Sequence, residues 1–310
     1  MLLDHNLIYV TGKGGVGRST VAAALGLAAA QRGRRTIVCE VSEQDRLARM
    51  FGRDGTPDEE VELAENLSAI SIEPQRALRG WLGSQLGSRA LTKLLFENNA
   101  FQYFAAAAPG AFEMATIVKV WELAQARRWD RSASSYETVI VDAPASGHGL
   151  GMLRTPKTFA NLARVGPIHK QSERVRAWLG DRRCSAYVSV ALAEEMPVSE
   201  TLEFEPKLSE EVGIGLSAII VNGVFPKRFT KADCEALNGV AARDGHAGPV
   251  RSALAAARTE HGWARNQANQ LARLRRGAEA PVLTLPFLFE PSLGVPELER
   301  LAGELAKKKL

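Results

Sequence analysis

The stretch YVTGKGGVGRST, Tyr9–Thr20, decides which fold the sequence predicts. The apolar run NLIYVT (Asn6–Thr11) precedes its glycines, and a helical pattern from Ser19 to about Gln31 follows them. A strand, a glycine-rich loop and a helix in this order are typical of phosphate-binding turns. Glycine lets backbone N–H groups approach a phosphate without a Cβ, and the helix N-terminus adds positive potential. We therefore expect a nucleotide-binding α/β protein.

Two nucleotide-binding motifs fit the same glycines. Gly12, Gly14 and Gly17 satisfy G-x-G-x-x-G, the dinucleotide fingerprint. Glu40 ends the next predicted strand, where a Rossmann oxidoreductase has its ribose-binding acid. The P-loop pattern G-x-x-x-x-G-K-[ST] fits as well, except that Arg18 occupies the lysine position. In this second interpretation the loop backbone surrounds the β-phosphate of a nucleoside triphosphate.

The residues around the glycines favour the P-loop. Arg18, Ser19 and Thr20 place a cation and two hydroxyls at the start of the helix, where a dinucleotide loop needs no such pair. Ser19 is therefore a candidate Mg²⁺ ligand, and Lys13 is a candidate partner of a triphosphate.

A second motif, VIVDAPASGHG, supports the same conclusion. Its apolar strand ends at Asp142, a suitable anchor for Mg²⁺ through a water molecule. Pro144, Ser146 and Gly147 follow in a predicted loop that would sense the γ-phosphate. Because the two motifs lie at the ends of separate parallel strands, the sequence predicts a P-loop site for a nucleoside triphosphate and Mg²⁺.

The whole chain predicts an α/β fold of the P-loop NTPase class, with a mostly parallel sheet flanked by helices and a helical subdomain. Continuous Val, Ile and Leu runs indicate strands that are buried on both faces. We expect one P-loop ATPase domain, 1–310, with helical insertions at about 75–130 and 154–181, and further helix at 230–276. Besides Asn6–Thr11, the predicted strands are Arg35–Val41, Leu67–Ile72, Glu137–Pro144, Ser185–Leu192, Leu216–Val224 and Ala280–Leu288.

The composition is that of an ordinary globular chain. Of its 310 residues, 45% are hydrophobic and 24% are charged. The net charge of +4 comes from scattered residues, so no strong nucleic-acid signal is present. The longest apolar run, VAAALGLAAA from Val21, is about half a membrane span, so we expect no transmembrane segment. Three distant cysteines and the lack of a signal-peptide pattern predict the reducing cytoplasm.

Taken together, these segments resemble a known family. GKGGVGRST, Gly12–Thr20, resembles the deviant Walker A motif K-G-G-x-G-K-[ST] of ArsA-like and MinD/ParA-like P-loop ATPases. DAPASGHGL, from Asp142, is similar to switch II of the ArsA branch, which includes anion pumps and tail-anchored-protein-targeting ATPases. The similarity continues in order along the chain at Ala193–Glu203, Ile219–Pro226 and Leu285–Leu288.

The resemblance implies roles for individual residues. Lys13 matches the signature lysine that contacts the nucleotide of the partner subunit. Glu40 falls at the switch I acid that orients the attacking water, and Asp142 matches the Walker B acid, so these three are the candidate catalytic residues. The candidate switch residues are Pro144, Gly147 and His148, and the candidate nucleotide-binding residues are Gly12, Lys13, Gly14, Gly15, Val16, Gly17, Arg18, Ser19 and Thr20, with Asn222, Pro286 and Phe287 at the adenine.

Arg18 is the main departure from the family pattern. Arginine is a planar fork and lysine a compact point charge, so Arg18 keeps the phosphate-neutralising charge but changes its geometry. A loss of ~2–4 kcal/mol of transition-state stabilisation would slow hydrolysis by ~10²–10³, whereas an adapted Arg18 would leave the rate normal. The first hypothesis is an ATP-hydrolysing, dimeric, nucleotide-dependent switch. The alternative is a nucleotide-binding scaffold or adaptor with weak hydrolysis.

The resemblance also implies partners. The expected assembly is a homodimer or a heterodimer with a paralogue, and the client is an unknown protein or anion. The three cysteines form neither an arsenite-binding thiolate cluster nor a zinc-binding C-x-x-C. A helical region forms either a subdomain core or a client surface, and its apolar residues are Leu91, Leu94, Leu95, Phe101, Phe104, Ile117, Val118, Val120 and Trp121.

Overall fold

One sheet organises the part of the chain that the computed structural model describes, residues 1–41, 45–86, 93–94, 96–98, 108–241 and 248–308. Its strands are β1 (Leu7–Gly12), β2 (Thr36–Glu40), β3 (Val61–Ala64), β4 (Leu67–Ser71), β5 (Thr138–Asp142), β6 (Ser185–Leu192), β7 (Ala218–Val224) and β8 (Val282–Pro286). They lie in the order β3-β4-β2-β5-β1-β6-β7-β8. Every neighbouring pair is parallel except β3 with β4. The predicted α/β fold of a P-loop NTPase is confirmed.

Helices follow most strands, and a short 3-10 helix, Leu2–Asp4, precedes β1. Within the described residues they are α1 (Arg18–Ala30), α2 (Arg46–Met50), α3 (Pro74–Leu86), α4 (Ala111–Leu123), α5 (Ser146–Ala163), α6 (Gly166–Leu179), α7 (Glu195–Val212), α8 (Lys231–Ala241), α9 (Gly248–Gly277) and α10 (Val295–Lys307). None of them is both long enough and apolar enough to cross a membrane.

Two hydrophobic cores lie on the two faces of the sheet. Side chains alternate along a strand, so Leu7 and Tyr9 of β1 belong to one core and Ile8 and Val10 to the other. The first core includes residues of α3 to α7 and of α9, and the second includes residues of α1, α2 and α10. The central strands are therefore buried on both faces, which explains their continuous apolar sequences.

The strand order brings the two predicted motifs together. β5 lies between β1 and β2, with Asp142 opposite both Val10 of β1 and Glu40 of β2. The glycine loop follows Gly12, the last residue of β1. Because carboxyl ends of parallel strands share one edge of the sheet, the loop, Glu40 and Asp142 meet at that edge.

The structure corrects some of the predicted boundaries. The strand β3 was not predicted, because VELA is a short, half-polar edge segment that pairs antiparallel with β4. The helix predicted from Arg154 begins at Ser146, and a break near Val165 separates it from α6. Of the apolar residues predicted to form either a subdomain core or a client surface, Leu91, Leu95, Phe101 and Phe104 lie outside the described residues, whereas Ile117, Val118 and Val120 are buried in the core.

A buried ion network joins α4 to the segment before β3. The Arg128 guanidinium donates from Nε to Glu122 and from Nη2 to Glu60, both at 2.7 Å, and from Nη1 to the Ser134 carbonyl at 2.7 Å. Burial disfavours the charged Glu122 carboxylate, but the hydrogen bond from Arg128 and the charge of Lys119 outweigh it and lower the pKa of Glu122. The network fixes the helical segment against the edge of the sheet.

Candidate nucleotide site

The glycine loop is wide and its backbone is accessible. β1 ends at Gly12 and α1 begins only at Arg18, preceded by Gly17 in the left-handed conformation with φ 87°. A Cβ on Gly12 would lie 2.2 Å from the Val190 carbonyl oxygen, so only glycine fits there. At Gly14, by contrast, no heavy atom lies within 4 Å of a Cβ. The loop is therefore clamped where it leaves the strand and open in its middle, as a phosphate cradle requires.

This geometry disagrees with the dinucleotide interpretation. In that motif the third glycine lies within the helix and permits close packing of the helix on the strand. Here the third glycine, Gly17, precedes the helix, and a Cβ on it would lie 2.3 Å from Asn222 Nδ2, a side chain of β7. The loop thus has the wider form of a P-loop.

Ser19 and Asp142 form the contact that joins the two motifs. Ser19 Oγ donates a 2.5 Å hydrogen bond to Asp142 Oδ2. Asp142 is 7% exposed, and its other oxygen, Oδ1, is buried without a hydrogen-bond partner. Burial raises the pKa of Asp142, although the hydrogen bond from Ser19 and the charge of Arg18 oppose the rise. The site therefore contains a buried carboxylate oxygen that a bound cation or water would satisfy.

Glu40 lies beside this pair with a structural contact of its own. It is 4% exposed, and its Oε2 accepts hydrogen bonds from the backbone N–H groups of Arg46 at 2.8 Å and Leu47 at 3.3 Å. These donors belong to the first turn of α2, so the carboxylate acts there as a cap. Its negative charge also contributes to the raised pKa of Asp142. Its predicted contact with the attacking water stays a prediction.

Arg18 extends from the start of α1 towards the segment after β5. Its Nη1 donates a hydrogen bond to the carbonyl oxygen of Ala143. The three residues from Ala143 to Ala145 connect β5 to α5. Arg18 thus contacts both motifs of the site.

The segment predicted as a switch loop is shorter than expected. Pro144 is in the connection, but Ser146, Gly147 and His148 form the first turn of α5. Gly149 N–H closes this turn on the Ala145 carbonyl at 2.9 Å. The assignment of these residues to a loop was therefore wrong, although Gly147 and His148 are exposed at the same edge of the sheet.

Lys13 projects from the loop to a partner that the sequence did not indicate. Its Nζ lies 2.6 Å from Glu200 Oε1 and 4.0 Å from the sulfur of Met196, both in α7. Both charged side chains are partly exposed, Lys13 at 30% and Glu200 at 40%, so solvent screens the ion pair. The signature lysine is thus held within its own chain in this structure.

A cavity of about 660 Å³ lies beside the loop, at the ends of β6, β7 and β8. Phe225 and Phe287 stack in its wall with ring centroids 4.6 Å apart. Asn222, three residues before Phe225, donates from Nδ2 to the Val16 carbonyl of the glycine loop at 3.1 Å, which links the end of β7 to the cradle. Gln267 of α9 also belongs to the wall. Nothing in the helical sequence pattern of α9 distinguishes this glutamine, so it was not predicted as a site residue.

The residues present fit the predicted cofactors. Ser19 and Asp142 provide a hydroxyl and a buried carboxylate, the oxygen ligands that Mg²⁺ prefers. Across the described ranges, no group of three or more His, Cys, Asp or Glu side chains could hold a metal ion.

The parallel sheet, with the glycine loop between β1 and α1, defines the fold class of this protein as a P-loop NTPase. The sequence matches the Anion-transporting ATPase family over residues 5–171 and 161–245, and the chain belongs to this family. The resemblance to ArsA-like ATPases is therefore confirmed, and the Rossmann oxidoreductase is wrong.

Individual relatives of the chain are also named as ATPases. ATPase BagA of Mycobacterium tuberculosis is 31% identical over 234 residues, which cover 73% of this chain and 67% of BagA. ATPase GET3 of Chaetomium globosum is 27% identical over 265 residues, which cover 74% of this chain and 75% of that protein. ATPase GET3 of Pyricularia oryzae is 26% identical over 270 residues, covering 74% and 76%. The chain is similar along most of its length to proteins named as ATPases.

Proposed function

We propose that this ATPase binds and hydrolyses Mg·ATP as a nucleotide-dependent switch that works as a dimer. The observation that supports the site most directly is the hydrogen bond from Ser19 to Asp142, with the second carboxylate oxygen buried and unpaired. Ser19 would ligate the metal directly, and Asp142 would hold it through a water molecule. Mg²⁺ bound there would neutralise charge on the β- and γ-phosphate oxygens.

The open middle of the loop fits the phosphates. Backbone N–H groups from Gly14 to Ser19 would surround the β-phosphate, and the N-terminus of α1 would favour its negative charge. Lys13 from one protomer would contact the phosphates bound to its partner, as an arginine finger does. Its exposure and its weak, screened contact with Glu200 allow this transfer between chains.

The cavity beside the loop fits the adenosine end of the nucleotide. Phe287 is 41% exposed and offers an aromatic face for stacking, next to Pro286 at the end of β8. Asn222 keeps its Oδ1 as an acceptor for the adenine amine, because its Nδ2 is engaged by the Val16 carbonyl. Two carboxylates, Glu194 and Glu195, also line the cavity and disfavour a phosphate group there. We therefore place the base, and not the phosphates, in this cavity.

We expect Arg18 to set the rate of ATP hydrolysis. Its hydrogen bond to the Ala143 carbonyl supports the second candidate function, a scaffold with weak hydrolysis, because it fixes one edge of a planar guanidinium whose geometry differs from that of the usual lysine. Steady-state hydrolysis of wild type, Arg18→Lys and Lys13→Ala separates the two functions. A negligible wild-type rate that Arg18→Lys raises strongly supports the scaffold. A brisk wild-type rate that Lys13→Ala abolishes supports the enzyme.

Binding is tested separately from hydrolysis. Isothermal titration calorimetry at millimolar nucleotide should show that Mg·ATP binds to wild type and that EDTA weakens this binding. If no Mg·ATP binding is measured under these conditions, the proposed function is refuted, whatever hydrolysis assay is used.

The wider role stays a proposal. A protein or anion client, a homodimer or a heterodimer with a paralogue, and residence in the cytoplasm are all consistent with the family and with three free cysteines. We also retain one P-loop domain over 1–310, with helical insertions near 75–130 and in the region of α5 and α6. Sedimentation of the purified chain with and without Mg·ATP would distinguish a homodimer from a monomer that needs a different partner.

A further inference from the structure

Arg18 makes a contact that joins the start of α1 to the connection between β5 and α5. It is the first residue of α1, and its Nη1 donates to the carbonyl oxygen of Ala143. Ala143 directly follows β5, and three residues separate that strand from α5. The residue that replaces the usual lysine thus starts the helix after the glycine loop and contacts the connection that leads into α5.

The segment that Arg18 contacts is anchored on its other side by β1. Ala143 N–H donates to the Val10 carbonyl at 3.0 Å, and the Tyr9 hydroxyl donates to the Gly149 carbonyl at 2.9 Å. Tyr9 and Val10 are fully buried in the central strand, so these anchors are rigid. The Arg18 contact differs from them because its donor is a charged side chain that also borders the open cradle.

A guanidinium can make two contacts at once. It has five N–H donors arranged in a planar fork, so one edge can stay on a carbonyl while another binds a phosphate oxygen. Lysine carries all its protons on one nitrogen. The carbonyl and the phosphate would therefore have to share that single atom. A phosphate contact also immobilises the arginine side chain. The hydrogen bond to the Ala143 carbonyl then costs less side-chain entropy and becomes more stable.

We propose that Arg18 is a positioning residue that bridges the nucleotide phosphate and the Ala143 carbonyl, so that nucleotide binding orders the first turn of α5. The inference rests on the proposed function. It adds to it a route by which bound nucleotide orders the start of α5. It also gives the arginine a role that a lysine at this position would not fulfil.

Hydrogen exchange measured by mass spectrometry tests this bridge in the full chain. We expect Mg·ADP to slow exchange of the amides in 143–150 about tenfold in wild type, the effect of one hydrogen bond to a charged group. In Arg18→Lys, at nucleotide concentrations that saturate each protein by calorimetry, this slowing should be largely lost. The matched control is Arg34→Lys, because Arg34 donates to the Glu137 carbonyl at the opposite end of β5.

The control distinguishes the loss of the Arg18 bridge from the loss of an arginine–carbonyl hydrogen bond elsewhere in the chain. Arg34→Lys should keep the wild-type response in 143–150 even if it lowers global stability. Equal nucleotide-dependent protection in wild type and Arg18→Lys would overturn the bridge while leaving the proposed function intact, as would a wild type that binds nucleotide without any change in 143–150. Failure of wild type to bind nucleotide would instead refute the proposed function, and the bridge with it.

Discussion

Replacing Asp142 by asparagine should make the nucleotide-free protein more stable while damaging its site. The Asp142 carboxylate is buried, and its Oδ1 has no hydrogen-bond partner among the described residues. An unsatisfied charged oxygen costs at least about 1–3 kcal/mol, and asparagine can still accept the bond from Ser19 through its own oxygen. We expect the free energy of unfolding to rise by about 1–2 kcal/mol near pH 8, or roughly 2–6 °C in Tm.

The stability that Asp142→Asn gains over wild type should increase with pH. Burial raises the pKa of Asp142, so the folded protein holds a proton more firmly than the unfolded chain does. The stability contributed by this carboxyl is complete below the ordinary pKa of about 3.9 and is lost as the pH rises through the folded pKa. Asparagine does not titrate. The difference in stability between Asp142→Asn and wild type should therefore grow from about pH 4 to pH 8.

Thermal unfolding followed by circular dichroism checks both parts of this prediction. Across that pH range, Asp142→Asn without nucleotide should show the higher Tm, whereas added Mg·ADP should raise the Tm of wild type more than that of the variant. Asp58→Asn is the matched control, because burial also raises the pKa of Asp58, which lies outside the site. That control should keep the wild-type response to Mg·ADP. A clear loss of stability in Asp142→Asn at pH 8 would refute the reasoning.

Three further substitutions test other parts of the structure. Gly17→Ala should abolish nucleotide binding by calorimetry, because its Cβ would lie 2.3 Å from Asn222 Nδ2 and φ is 87°. Arg128→Met should lower the free energy of unfolding in urea by about 3–5 kcal/mol, because it leaves the Glu122 carboxylate, 2% exposed, without its main partner. Glu200→Gln should lower the protein concentration needed for nucleotide-dependent dimerisation about two- to fivefold in sedimentation, because it weakens a screened ion pair.

Each of these substitutions has a control in the same chain. Gly303→Ala in α10 should be harmless, because no heavy atom lies within 4 Å of a Cβ there. Arg76→Ala removes an ion pair whose arginine is 58% exposed, so it should cost less than about 1 kcal/mol. Glu203→Gln removes an exposed partner of Lys207 on the same helix as Glu200 and should not affect dimerisation. Equal effects in a variant and its control would contradict the mechanism given for that variant.

The sequence predicted the central sheet because its strands are buried on both faces. Runs such as TVIVD and SAYVSVAL are mostly apolar and almost entirely buried, so pattern and burial agree. The strand β3 was missed for the opposite reason, since VELA lies at the edge of the sheet and is only partly buried. Ser146, Gly147 and His148 were predicted to lie in a loop, but they begin α5 although glycine disfavours helix. In the structure Leu150 and Met152 are buried in the core, and this packing outweighs the low helix propensity.

The sequence indicated which candidate residues lie together where they belong to contiguous motifs, and it did not indicate contacts between distant residues. Ser19 and Asp142 belong to two recognisable motifs, and the structure joins them by a hydrogen bond. The contact of Lys13 with Glu200 spans 187 positions, and no local pattern indicates it. The role of Glu40 at the first turn of α2 was also invisible, because it depends on where that short helix begins.

We propose above all that Lys13 of one protomer completes the active site of its partner. Mixing two inactive variants tests it most directly: Lys13→Ala has intact metal ligands, and Ser19→Ala has an intact lysine. If Lys13 acts between protomers, mixed dimers contain one complete site, and an equimolar mixture should recover about a quarter of the wild-type rate of ATP hydrolysis per chain. A mixture as inactive as either variant alone, with mixed dimers confirmed by native mass spectrometry, would contradict the account.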